Sequence, residues 1–171
     1  MILRWGDDEV RPARGDDLVA AAPALAAAYN EPSNMERLGH TAELSVDDVV
    51  EHYGRVDHGF LLYADGALAG DADLRDGGEF AFLIAAPSAQ GKGLGTRFAT
   101  MIHAHAFLDL GYTKLFAAFI PSNTGSRRVF EKLGYGVDTG SYGDEGDVVM
   151  SIERDTFLAR HAAAIAEIVR R

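Results

Sequence analysis

Between positions 90 and 96 the chain reads Gln-Gly-Lys-Gly-Leu-Gly-Thr, a spacing suited to holding an anion. Glycines at 91, 93 and 95 let the backbone come close to a phosphate group and take positive φ where a turn needs it. An apolar, strand-like run ends before Pro87, and a helical pattern follows the loop. The unpaired N–H groups of a helix N-terminus would therefore face whatever the loop holds. Two nucleotide motifs do not fit. A P-loop needs Gly-Lys-Ser/Thr, but Lys92 is followed by Gly93, and the third glycine of a dinucleotide fingerprint would fall on Thr96. With no cysteine in the chain, disulfides, thiolate metal sites and a cysteine acyl-enzyme are excluded. His103 and His105 point to different helix faces and have no third ligand at zinc spacing, so no metal is expected.

The elements around the loop follow from hydrophobic period and turn residues. At 171 residues the chain has room for one domain with a real core, expected over 1–171. A short hairpin near Ile2 to Ala13 comes first. An Ala-rich helix then runs toward Ala28, with Asp16 or Asp17 as its cap and Pro23 as a kink or a later start. Tyr29 to His40 reads as an irregular connection, and Ser45-Val46-Asp47-Asp48 as a capping box opening a helix to about Gly54. Phe60 to Ala64, Ala67 to Arg75 and Glu79 to Ala85 alternate as strands, separated by Asp65-Gly66 and Asp76-Gly77-Gly78. A helix over Thr96 to Leu110, a strand over Lys114 to Ile120 and a helix from Asn123 to Lys132 follow, then a hairpin of Tyr135–Ser141 with Asp147–Glu153. Phe157, His161, Ile165 and Ile168 recur at helical spacing, which predicts a C-terminal helix over 156–170. That helix either packs on its own domain or offers a homodimer interface. The order suits an α/β (α+β) fold, one mixed sheet covered by helices on both faces.

Two motifs, one helix and one strand apart, carry a family resemblance. Gln90, Gly93 and Gly95 fill the Gln/Arg-x-x-Gly-x-Gly/Ala pattern, and Asn123 to Tyr135 follows as Asn, Ser126, Phe130 and then Glu-Lys-Leu-Gly-Tyr. In both the chain resembles the GCN5-related N-acetyltransferases (GNAT), in particular the branch of ribosomal-protein, polyamine and aminoglycoside acetyltransferases. The resemblance implies that fold, with a mostly antiparallel central sheet, to which the C-terminal helix is an extra element, and acetyl-CoA as cosubstrate. It implies that Gln90, Gly91, Lys92, Gly93, Leu94, Gly95 and Thr96 hold the pyrophosphate. Leu83, Ile84 and Ala85 would pair with the pantetheine arm through their backbone, as an added strand does. Asn123, Arg127 and Phe130 would border the arm. Tyr29, Glu31, Met35 and His40 match the connection that borders the acceptor.

The implied reaction is attack of an amine on the acetyl thioester in a ternary complex, without a covalent enzyme intermediate. An alkylamine of pKa ~10.4 is only about one part in a thousand neutral at pH 7, so its proton needs a base or a water chain. Many relatives donate a proton to the leaving thiolate from a tyrosine where this chain has Phe130, and some carry a glutamate where it has Ala118. Glu79 is the candidate base and Ser126 the candidate acid; a charged hairpin end and a small residue beside the cofactor are their structural alternatives. Tyr29, Tyr135 and Tyr142 are further hydroxyls, and Asp71 and Asp73 share a strand face that either opens to the cleft or is a solvated edge. The acceptor is expected to be a primary amine of a small molecule or a protein N-terminus. The alternative is a module that binds acyl-CoA without turnover.

The net charge of −10 argues against a nucleic-acid partner and leaves cationic substrates open. It is uneven: residues 90–132 carry +4 and the remainder −14. No apolar run spans a membrane, and Gly6, Asp7 and Asp8 interrupt any leader, so the expected location is the cytoplasm.

Overall fold

The computed structural model describes residues 1–140 and 143–171. Strands β1 (Leu3–Trp5) and β2 (Asp8–Pro12) lead into helices α1 (Gly15–Tyr29), α2 (Pro32–Leu38) and α3 (Val46–Arg55). A meander follows, β3 (His58–Ala64), β4 (Ala67–Arg75) and β5 (Glu79–Ile84), then α4 (Leu94–Leu108), β6 (Lys114–Phe119) and α5 (Thr124–Leu133). The chain closes with β7 (Gly136–Val137), β8 (Val148–Glu153), α6 (Arg154–Arg160), α7 (Ala162–Glu167) and β9 (Val169–Arg170). Among the described residues the strands form one sheet in the order β7-β8-β6-β5-β4-β3-β2-β1-β9, in which only β5 and β6 run parallel.

Turn chemistry fixes the meander. Asp65 and Gly66 both take positive φ, 49° and 77°, as a two-residue hairpin loop with the right twist requires. Alternation then sorts the side chains. Phe60, Leu62, Ala72, Leu74, Phe80 and Ile84 pack toward a core shared with α4, while Leu61 joins α1 and α3 on the other face. Helix α4 is buried almost all round, from Gly95 to Phe107, which is why its sequence has no polar stripe.

Four expectations need correction. The Tyr29 to His40 segment is not irregular. Pro32 sits in the first turn of α2, the Glu31 side chain accepts the Asn34 N–H, and Gly39 closes the helix in the left-handed region. Neither Asp16 nor Asp17 caps α1; Arg14 holds that position, the aspartates lie in the first turn, and the helix continues through Pro23. The helix expected over 156–170 is α6 and α7, broken at His161, followed by β9 paired with β1. Its apolar residues Phe157 and Ile168 are buried in this chain's own core, and Glu167 accepts the Trp5 indole N–H at 2.8 Å. Asp71 and Asp73 are no solvated edge; both are buried. Tyr142 lies outside the described residues.

Candidate active site

Strands β5 and β6 touch at one register point, Glu79 opposite Phe116, and then part. β5 stays on β4 as far as Ala85, whose N–H donates to the Ala69 carbonyl at 2.8 Å. In an antiparallel ladder the backbone groups of successive residues alternate between the two sides. Leu83 therefore directs its groups, and Ala85 its N–H, to β4, and Phe82 and Ile84 direct theirs into the gap. Among Leu83, Ile84 and Ala85, the residues expected to pair with a cofactor arm, only Ile84 has that orientation; Phe82 replaces the other two. The sequence hid this because the choice is set by the β4–β5 register.

At the open end of the gap stands the glycine loop. Gly91 and Gly93 take φ of 73° and 85°, and a side chain at either would meet open space, so conformation alone demands glycine there. Gly95 has a different reason: a Cβ would come within 3.0 Å of the Phe82 ring and 3.2 Å of Val129, so the N-terminus of α4 seats directly on the wall of the gap. Gly93 caps α4, and the N–H groups of its first turn, beginning at Leu94, have no partner within the helix. With the helix dipole they form an anion site.

One cleft joins gap and loop, bordered by Phe82, Leu83 and Ile84, by Gly91, Gly93, Gly95 and Thr96, and by Ser126 and Val129 of α5. Its cations are Arg37, Arg128 and Lys132. Of the six basic residues between 90 and 132, Arg97 is turned away to Asp8 and Trp5, Lys114 pairs with Asp138 at 2.8 Å and Arg127 with Glu131 at 2.9 Å. Arg127 thus does not border the cleft; Arg128, one residue on, does. Arg37 lies outside the segment and was missed. If these three cations hold phosphates, raising salt from low to moderate concentration should weaken coenzyme A binding roughly threefold or more. An unchanged Kd would contradict it.

Several other expected residues have structural tasks. Asn123 borders the cleft, and its side chain also accepts the Ser126 N–H at 3.1 Å and caps α5. Phe130 is buried in a cluster with Phe80, Phe82, Phe119 and Tyr135, and is core rather than cleft. Gln90 does not extend toward the loop's anion site. Its amide donates to the Ile84 carbonyl at 2.8 Å and to Asn34 at 3.0 Å, and its oxygen accepts from Arg37. Tyr135 donates its hydroxyl to His103, and both side chains are buried in the core. Lys92 lies exposed on the loop.

The opposite face of β4 and β5 carries a second polar array. Cross-strand neighbours share a face, so Asp71, Asp73, Arg75 and Glu79 stand in a row with Leu83, beneath α1 and α3. Asp71 accepts the hydroxyls of Tyr29 at 2.9 Å and Tyr53 at 2.6 Å. Burial raises its carboxyl to about 6, against the lowering effect of the two hydroxyls. Asp73 meets His52 at 2.6 Å and Arg75 at 3.0 Å, and Arg75 also faces Glu79 at 3.7 Å. Glu79 is half-buried and does not line the cleft beside the glycine loop. Tyr29 stacks on His40, with ring centroids 6.2 Å apart; Glu31 caps α2 and Met35 lies within that helix. Among the described residues no group of His, Asp or Glu is placed to hold a metal, and no helix is long and apolar enough to cross a membrane.

Residues 9–136 match the family model of the acetyltransferase (GNAT) domain. The chain belongs to the GNAT acetyltransferase family. Its fold is similar to that of an acetyltransferase from Agrobacterium tumefaciens, with a TM-score of 0.75 and 19% identity over 90% of this chain and 94% of that one. Mycobacterium smegmatis RimJ, in complex with CoA-disulfide, superposes with a TM-score of 0.68 at 17% identity, covering 98% and 94%. The aminoglycoside acetyltransferase AAC(6')-Ib, in complex with coenzyme A, gives 0.72 at 21% identity, covering 88% and 96%. No curated protein matches the chain in sequence.

Proposed function

We propose that this protein transfers an acetyl group from acetyl-CoA directly to a primary amine, of a small molecule or a protein N-terminus, in a ternary complex. The observation that carries it is the parting of β5 from β6 beside a glycine loop at a helix N-terminus. An extended, amide-bearing arm fits such a gap as an added strand, and a pyrophosphate fits the loop. Two structural neighbours, RimJ in complex with CoA-disulfide and AAC(6')-Ib in complex with coenzyme A, support that choice of cofactor.

The polarity of the two faces supports an amine acceptor. Cations flank the cofactor cleft, whereas Asp71, Asp73 and Glu79 outnumber Arg75 on the other face of the same strands. The two aspartates are buried and Glu79 is half-buried, so they act on an approaching amine through their summed negative field rather than by contact. Glu79 is the base in this proposal, taking the amine proton directly or through water. The Phe82 N–H, directed into the gap between Ile84 and the Glu79 end of β5, donates to the developing oxyanion, and the Ser126 hydroxyl, on the cleft wall, protonates the departing thiolate.

Glu79→Gln should lower kcat/KM by about 100-fold while leaving the Kd for coenzyme A unchanged. A near-normal rate would remove Glu79 from the mechanism. The overall assignment is tested by thiol release from acetyl-CoA with a panel of polyamines, aminoglycosides and peptides. Turnover with any amine supports transfer. Tight coenzyme A binding without turnover on the whole panel would favour the alternative, an acyl-CoA-binding module.

A further inference from the structure

Asn34 is a fully buried amide whose every polar group is engaged by a different element. Its Nδ2 donates to the Ala28 carbonyl near the end of α1 at 2.9 Å and to the Ala85 carbonyl beyond β5 at 3.1 Å. Its Oδ1 accepts from Gln90 Nε2 at 3.0 Å. With two hydrogens and one oxygen assigned, the amide has a single orientation. One helical turn further along α2, Arg37 occupies the same side of the helix. It donates to Gln90 Oε1 and borders the cleft beside Gly91 and Gly93. Gln90 is thus a bridge, held from below by Asn34 and by the Ile84 carbonyl, and holding Arg37 from above.

We propose that Arg37 binds a phosphate of the cofactor and that Asn34 is the positioning residue that sets it there through Gln90. One of the five guanidinium N–H groups is spent on Gln90, and among the described residues no other hydrogen bond engages the rest. A long flexible side chain pays conformational entropy when it docks on a phosphate; a partner already fixed in place reduces that cost. The same contacts tie α2 to the wall that receives the cofactor arm, since Asn34 holds Ala85 and Gln90 holds Ile84. Phosphate binding at the mouth therefore steadies both α2 and the strand end.

The inference rests on the acetyl-CoA assignment above, and its test separates the two. Calorimetry would give Kd for coenzyme A and for pantetheine, which keeps the amide arm and lacks every phosphate. Arg37→Gln should weaken coenzyme A roughly tenfold and leave pantetheine unchanged. Asn34→Ala should show the same selective loss, and the double variant should be no weaker than the worse single one. In kinetics the loss should fall on the KM for acetyl-CoA, with kcat retained. A purely structural Asn34 would lower the thermal midpoint and leave the ratio of the two affinities at its wild-type value, which overturns the positioning role. Should Asn34→Ala not fold, Gln90→Leu removes the same bridge from the loop side and is held to the same ratio. An Arg37→Gln ratio within about twofold of wild type overturns the phosphate contact. Wild-type protein that binds neither ligand overturns the cofactor assignment itself, and this inference with it.

Discussion

Gly70→Ala should destabilise the protein by about 3 kcal/mol or more and abolish tight binding in the cleft. Gly70 lies on β4 opposite Ile84, and a Cβ there would stand 1.9 Å from the Leu83 carbonyl oxygen and 3.2 Å from the Ile84 Cα. These are backbone atoms, so no rotamer change relieves the clash and the strands must part. They part where β5 has lost β6 on its other side, so the displaced segment is held there by the Asn34 and Gln90 side chains rather than by a neighbouring strand. The displacement carries Phe82 and Ile84 with it, and with them the groups directed into the gap. Urea denaturation measures the first effect and coenzyme A titration the second. A stability change under about 1 kcal/mol would show that the two strands accommodate a methyl group, against the geometry.

The second large effect is a pair of opposed proton linkages. Burial lowers His103 to about 3. Its Nδ1–H donates to the Ala99 carbonyl at 2.7 Å, and its Nε2 accepts the Tyr135 hydroxyl, so a second ring proton would force that buried hydroxyl to turn its own proton elsewhere in the core. Between pH 6.5 and about 3 the unfolded chain takes up this proton and the native one does not, and stability falls as pH falls. The shift corresponds to about 5 kcal/mol. Asp71 acts in the opposite sense. With its carboxyl raised to about 6 by burial, the native state binds a proton that the unfolded state refuses between about 6 and 4. Stability therefore rises by roughly 3 kcal/mol as pH falls through that window. The wild type should vary little in stability between pH 6.5 and 4. Asp71→Asn should become acid-labile over that range, and His103→Gln should become more stable toward pH 4. The slope of unfolding free energy against pH for each variant checks this, and parallel slopes in all three proteins would refute both assignments.

Local chemistry was legible in the sequence. The capping box at Ser45, the positive-φ turn at Asp65-Gly66, the glycine loop and the helix stop at Gly134 each lie within a few residues, and each is observed. The motifs at Gln90 and Asn123 located the cleft, but not how their side chains act in it. Asn123 caps a helix, and Gln90 bridges elements 56 residues apart in sequence, from Asn34 to the loop. The burial of Asp71 depends on Tyr29 and Tyr53 arriving from two helices, which no window around β4 contains. At α5 a one-residue change of helical phase separates Arg128 in the cleft from Arg127 outside it. The terminal segment misled because Ile165 and Ile168 keep helical spacing while Val169 and Arg170 find a strand partner in β1. Helix α2 was missed through Pro32, taken as a break although its place after a capping Glu31 marks a start.

The parting of β5 and β6 also sets the shape of what can enter. Adjacent strands lie about 4.8 Å apart, so a slot for one more chain requires roughly twice that spacing and offers hydrogen bonds at a fixed pitch along its length. Such a slot measures ligands by width and by the repeat of their amides, much as a ruler does. It is blind to whatever hangs from the far end of the arm, so the length and bulk of the acyl group must be policed elsewhere, at the closed end where Glu79 and Phe116 meet.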